Sequence, residues 1–131
     1  MRTVDCVARS WAIFALLACL PAWAQPQAPE ADRKQFREIY QELIEINTTD
    51  SVGDTTRAAQ AMAARLKAGG YSDADMQLIV PPGAPKKGNL VVRYKGTGAK
   101  KPLLLLAHID VVEAKREDWD FDPFKLQEVD G

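Results

Sequence analysis

The run Leu103-Leu104-Leu105-Leu106-Ala107, ending on His108 and followed by Asp110, constrains this chain more than any other segment. A continuous apolar run closed by turn residues is the pattern of a strand buried on both faces, as in a sheet covered by helices. The C-terminal ends of such strands are where open α/β sheets place their ligands. A histidine there can offer a ring nitrogen to a metal. A carboxylate two residues on projects to the same side of an extended segment, where it can hold the other ring nitrogen. His108 is the only histidine in the chain. Taken alone, His-x-Asp describes a strand-end histidine satisfied by local hydrogen bonds more often than a metal ligand.

The elements before this run fit an α/β order. Phe36, Ile39, Tyr40, Leu43 and Ile46 recur at spacings of three and four, which predicts a helix whose apolar face joins the core. Asn47 to Asp54 is a loop of short polar side chains that compete with helical hydrogen bonds, and Ser51 or Asp54 is placed to cap a second helix. That helix carries the narrow stripe Ala58, Ala61, Met62 and Leu66 and stops at Gly69-Gly70. Strands are predicted at Met76 to Val80, Asn89 to Tyr94 and Leu103 to His108. Pro81 to Gly88 and Gly96 to Lys101 form the turns between them. Lys86-Lys87 and Lys100-Lys101 read as solvated turns. Gly96-Thr97-Gly98 lacks the surroundings of a phosphate loop.

The N-terminus reads as a targeting segment. Arg2 and Arg9 precede an apolar core from Trp11 to Leu20, and Ala22-Trp23-Ala24 supplies a small-x-small cleavage pattern, so residues 1–24 are expected to be a signal peptide. Leu16-Leu17-Ala18-Cys19 competes loosely as a lipoprotein site. Cleavage after Ala24 would leave 107 of the 131 residues and remove both cysteines, Cys6 and Cys19, so no disulfide is expected. Residues 25–31 then form a flexible lead-in. The whole chain carries 17 basic and 18 acidic residues, and a net charge near zero gives no reason to expect nucleic acid or an anionic membrane as partner.

Beyond His108, the segment from Leu103 to Val112 is followed by Asp118-Trp119-Asp120-Phe121-Asp122-Pro123-Phe124. Together they resemble the signature of the M-twenty family of zinc-dependent exopeptidases and amidohydrolases: an apolar run, a small residue, His-x-Asp, and later Trp-x-x-x-Pro-Phe. Ile39 to Ser51, the alanine-rich helix ending at Gly69-Gly70-Tyr71, and Gly88-Asn89-Leu90-Val91-Val92 fall in the family's order, so the resemblance covers about Asp32 to Gly131. Glu113 departs from it, standing where many members carry proline, which alters the loop rather than the ligand.

The resemblance implies an α/β fold, the N-terminal part of a zinc-exopeptidase catalytic domain over residues 32–131, with helices packed on a mixed β-sheet that is incomplete in this chain. It implies that His108 binds one of two zinc ions and that Asp110, counted with the catalytic residues, orients and polarises its imidazole. Trp119, Asp122, Pro123 and Phe124 are expected to anchor the nearby loop rather than take part in chemistry. The base and remaining ligands of the family lie downstream, so the 131-residue chain is expected to be an N-terminal fragment, inactive alone and poorly packed. The implied activity is exported, periplasmic or secreted hydrolysis of a terminal peptide or N-acyl amide bond, with a peptide or N-acyl amino acid as partner. No membrane contact is expected after cleavage, and a homodimer would form through a downstream domain. The rival reading is a non-catalytic secreted α/β binding module on the same framework.

Overall fold

The computed structural model describes residues 27–130. The expected signal peptide and both cysteines lie outside the described residues. In chain order the elements are α1 (Glu30–Ile44), α2 (Thr55–Ala68), β1 (Met76–Ile79) and β2 (Asn89–Val92), with single helical turns at Asp73–Asp75 and Arg116–Asp118.

Helix α1 begins directly after Pro29, which stands as its N-cap with ψ 147°, and places Glu30 and Asp32 in the first turn, where the helix dipole favours negative charge. Its apolar stripe joins the core only in part: Ile46, just past the helix, is buried and Ile39 and Leu43 are half-buried, whereas the other two members are not covered as expected. Phe36 is 69% and Tyr40 50% exposed, and the two rings stack on each other at 6.2 Å. Periodicity identifies a face, but only a neighbour can bury it, and α1 is tethered mainly by charge. Arg37 donates from Nε and Nη2 to both carboxylate oxygens of Glu128 at 2.9 and 2.8 Å, Arg65 bonds Glu42, and Lys125 lies 3.5 Å from Glu45. Exposed pairs of this kind are screened by water and salt and contribute little to stability.

Helix α2 follows its sequence closely. Asp54 caps it, accepting from the Arg57 N–H at 2.9 Å; Arg65 and Lys67 occupy the last turn; Gly70 takes φ +96° just beyond the Gly69 cap. Ala58 and Ala59 are fully buried where the helix meets both strands, because methyl side chains let the backbone approach the sheet. The strands pair antiparallel from Met76 opposite Val92 to Ile79 opposite Asn89. Leu90 and Val92 are half-buried while Asn89 and Val91 are exposed, the period-two pattern of a strand with one covered face.

Helices and a sheet are therefore present as an α/β class demands, but the sheet differs from the mixed one expected. It has two antiparallel strands, and Leu103 to His108 is not a strand. Leu103, Leu104, Leu105 and Leu106 are 83, 81, 84 and 91% exposed. A strand buried on both faces needs hydrogen-bonding neighbours and covering helices, and none of the described residues supplies them.

Threonines make up much of the interior: Thr48, Thr49, Thr55 and Thr56 are buried alongside Ile46, Ala58 and Ala59. A buried hydroxyl costs stability unless it is bonded, and here each one is. Thr55 Oγ1 lies 3.1 Å from the carbonyls of both Lys86 and Gly88. Thr56 Oγ1 donates to Pro85 O and accepts from Gly88 N, both at 2.7 Å. These contacts sew the start of α2 to the β1–β2 loop. They also require glycine at position 88, since a Cβ there would stand 2.6 Å from Thr56 Oγ1.

Candidate metal edge

The loop between α1 and α2 is the platform of the site. Asn47 Oδ1 accepts from Thr49 N at 2.9 Å and Thr49 Oγ1 at 2.8 Å, and Asp54 N donates to Asn47 O at 2.8 Å. The short polar side chains read as a helix interruption thus build a closed turn. Gly53 completes it, because a Cβ at that position would fall 2.2 Å from Thr49 N.

His108 and Asp110 stand beside this platform on a cleft of about 700 Å³, whose wall includes Asp50, Thr55, Lys87 and Asn89. His108 Nδ1 lies 3.0 Å from the Asp110 carbonyl oxygen and 3.3 Å from Asp110 Oδ1. A carbonyl oxygen only accepts, so the contact puts a hydrogen on Nδ1 and leaves Nε2 as the ring atom that can face a metal. That is the tautomer a metal ligand needs, with Asp110 in the orienting position. The expected pair is therefore brought together, with the main-chain oxygen of Asp110 sharing the contact with its carboxylate. Both side chains are well exposed.

A zinc site generally takes three or four protein donors. Among the described residues no three His, Cys, Asp or Glu side chains gather to hold a metal ion. Of the ligand types zinc takes, His108 offers one imidazole nitrogen at the cleft.

Lys87 does more than solvate a turn, as sequence reasoning had it. Its Nζ donates to Asp50 Oδ1 at 2.6 Å and to Asp50 O at 3.0 Å across the cleft, and this hydrogen-bonded cation holds the Asp50 carboxyl below the usual carboxylate range. Lys86 contributes its carbonyl, which accepts from Thr55 N and Thr55 Oγ1. No local pattern announces either contact, since each joins residues more than thirty positions apart. Lys100 and Lys101 are exposed.

Further along, Asp122 Oδ1 accepts from Phe124 N at 2.9 Å, Pro123 and Phe124 are half-buried, and Trp119 meets Phe121 edge-on at 5.8 Å. These contacts are structural and lie outside the cleft wall.

The chain is similar to proteins named acetylornithine deacetylase. The one from Dictyostelium discoideum is 36% identical over 74% of this chain, and the one from Vibrio campbellii 31% identical over 73%. The Arabidopsis thaliana protein is 48% identical over a shorter stretch, 34% of this chain. The chain spans a quarter of the length of the first two relatives and a tenth of the third. No family model and no solved structure matches it.

Proposed function

We propose, for a chain that is a relative of the M-twenty metallo-amidohydrolases, that it furnishes one metal edge of a zinc-dependent enzyme hydrolysing a terminal N-acyl amide or peptide bond. The observation that carries this reading is the His108 imidazole at the wall of a cleft, its Nδ1 against Asp110, which leaves Nε2 as the atom for a metal. When bound, zinc polarises the scissile carbonyl and lowers the pKa of water. His108 would hold the ion through Nε2. Asp110 would keep the hydrogen on Nδ1, raise the basicity of the imidazole and fix its plane. The names of the relatives favour an N-acetylated amino acid over a longer peptide as substrate.

The assay that tests this reading uses the whole enzyme with N-acetylornithine, a dipeptide and an N-succinyl amino acid. Hydrolysis is expected to vanish on dialysis against a chelator and to return with zinc, and turnover that survives full removal of metal would overturn the reading. The 131-residue chain, with one imidazole to offer, should be inactive.

Export to the periplasm or beyond belongs to the same proposal and rests on Arg2, Arg9, the apolar core and Ala22-Trp23-Ala24. N-terminal sequencing of protein recovered from the periplasm should begin at Gln25. A lipidated Cys19 or a retained Met1 would count against soluble export.

A further inference from the structure

Among the described residues, every hydrogen bond that ties the segment from His108 to Glu113 to the rest of the fold runs to the loop after α1. Thr48, itself buried, donates from Oγ1 to Ile109 O at 2.7 Å and accepts from Val111 N at 3.3 Å. Two residues further on, Glu113 accepts from Ser51 at two points, Oε1 from the backbone N–H and Oε2 from the hydroxyl, each at 3.0 Å. The receiving loop is closed by the Asn47 turn and by Gly53, so it serves as a fixed body.

We propose that Glu113 is a positioning residue for the metal edge: its carboxylate latches the segment bearing His108 and Asp110 to Ser51, and so sets where the imidazole Nε2 stands. The inference rests on the reading of His108 as a metal ligand. Thr48 holds the segment at Ile109 and Val111, and Glu113 adds a further anchor beyond them, so that the chain leaving His108 and Asp110 is fixed over a longer stretch. Upstream, Leu103 to Leu106 form no hydrogen bond with the rest of the described residues that could substitute. A carboxylate suits the role because it accepts only, and both Ser51 groups donate to it, a charge-assisted pair stronger than a neutral one.

The whole enzyme is the material for the test, with zinc affinity measured by competition against a chromophoric chelator beside kcat, KM and the melting temperature. Glu113→Ala should weaken zinc binding on the order of 10-fold, the lower range for losing a partner that orients a ligand, and lower kcat while KM stays put. Glu113→Gln should recover most of both, since the amide oxygen can accept from Ser51 N while its NH2 donates to Ser51 Oγ. Ser51→Ala removes one contact and should fall between wild type and Glu113→Ala, which keeps the idea testable should Glu113→Ala fail to fold. A merely structural role would lower the melting temperature and leave the zinc affinity of the folded protein unchanged, and that outcome overturns the proposal, as does a glutamine variant no better than alanine. If His108→Ala keeps its full zinc content, the metallohydrolase reading itself fails. If His108→Ala loses zinc while Glu113→Ala and Ser51→Ala keep it, only the latch fails.

Discussion

Leu104→Ser combined with Leu106→Ser should make the 131-residue chain markedly more soluble without lowering the stability of what folds. At 81 and 91% exposure the two side chains give up almost no contact on substitution, so the effect on stability should stay within about 0.5 kcal/mol, as at other surface positions. Their exposure has a different consequence. Four consecutive leucines presented to solvent form an apolar patch of high association tendency, and an unpaired extended segment offers backbone groups for intermolecular pairing. The parental chain should therefore aggregate as its concentration rises, and the double variant should stay monomeric further, as sedimentation or light scattering would record. In the whole enzyme the same pair should act in the opposite sense. If the run is a covered strand there, each leucine contributes about 1.5–3 kcal/mol of burial, and serine adds an unsatisfied hydroxyl, so a denaturant melt should lose several kcal/mol. A whole enzyme indifferent to the double substitution would show that the run stays at the surface there too, and the strand reading would be wrong.

That contrast explains what was legible in the sequence. Where a signal is local, it matched the structure: Asp54 before an alanine-rich stretch, Gly69-Gly70 after it, and the turn-rich Pro81 to Gly88 between two strands. Where a signal reports an environment, the environment also has to be present. The leucine run encodes burial on two faces, and the stripe of Phe36 and Tyr40 encodes burial on one, yet nothing among residues 27–130 covers either. The His108–Asp110 pair was legible because its geometry depends on two positions only two residues apart. The contacts of the buried Thr48 and Thr55, of Lys87 with Asp50 and of Glu113 with Ser51 were not, because hydrogen bonds across more than thirty positions leave no periodic trace. Glu113 stood out only as a departure from a family pattern, and its partner became visible in three dimensions.

The largest functional effect is expected from His108→Ala in the whole enzyme, which should lose zinc at one site and with it essentially all turnover. Alanine removes the Nε2 donor outright, and a water in its place offers neither the fixed direction nor the basicity of a carboxylate-backed imidazole. Asp110→Asn should be milder, and the structure gives the reason. The hydrogen on His108 Nδ1 is held by the Asp110 main-chain oxygen at 3.0 Å as well as by the carboxylate at 3.3 Å. The asparagine variant keeps the main-chain acceptor, so the ring keeps its tautomer and its metal-facing lone pair, and only the negative charge behind it is lost. The expected cost is a fall of about 10- to 100-fold in metal affinity or activity, the range typical of residues that orient a metal-bound histidine. Measuring zinc content beside kcat/KM for both variants separates the two roles: His108→Ala should lose metal and rate together, and Asp110→Asn should lose rate while keeping most of its metal at saturating zinc. Full zinc occupancy with near-normal turnover in His108→Ala would return His108 to the plainer role of a histidine satisfied by its own neighbours, and the assignment of the metal edge would fall with it.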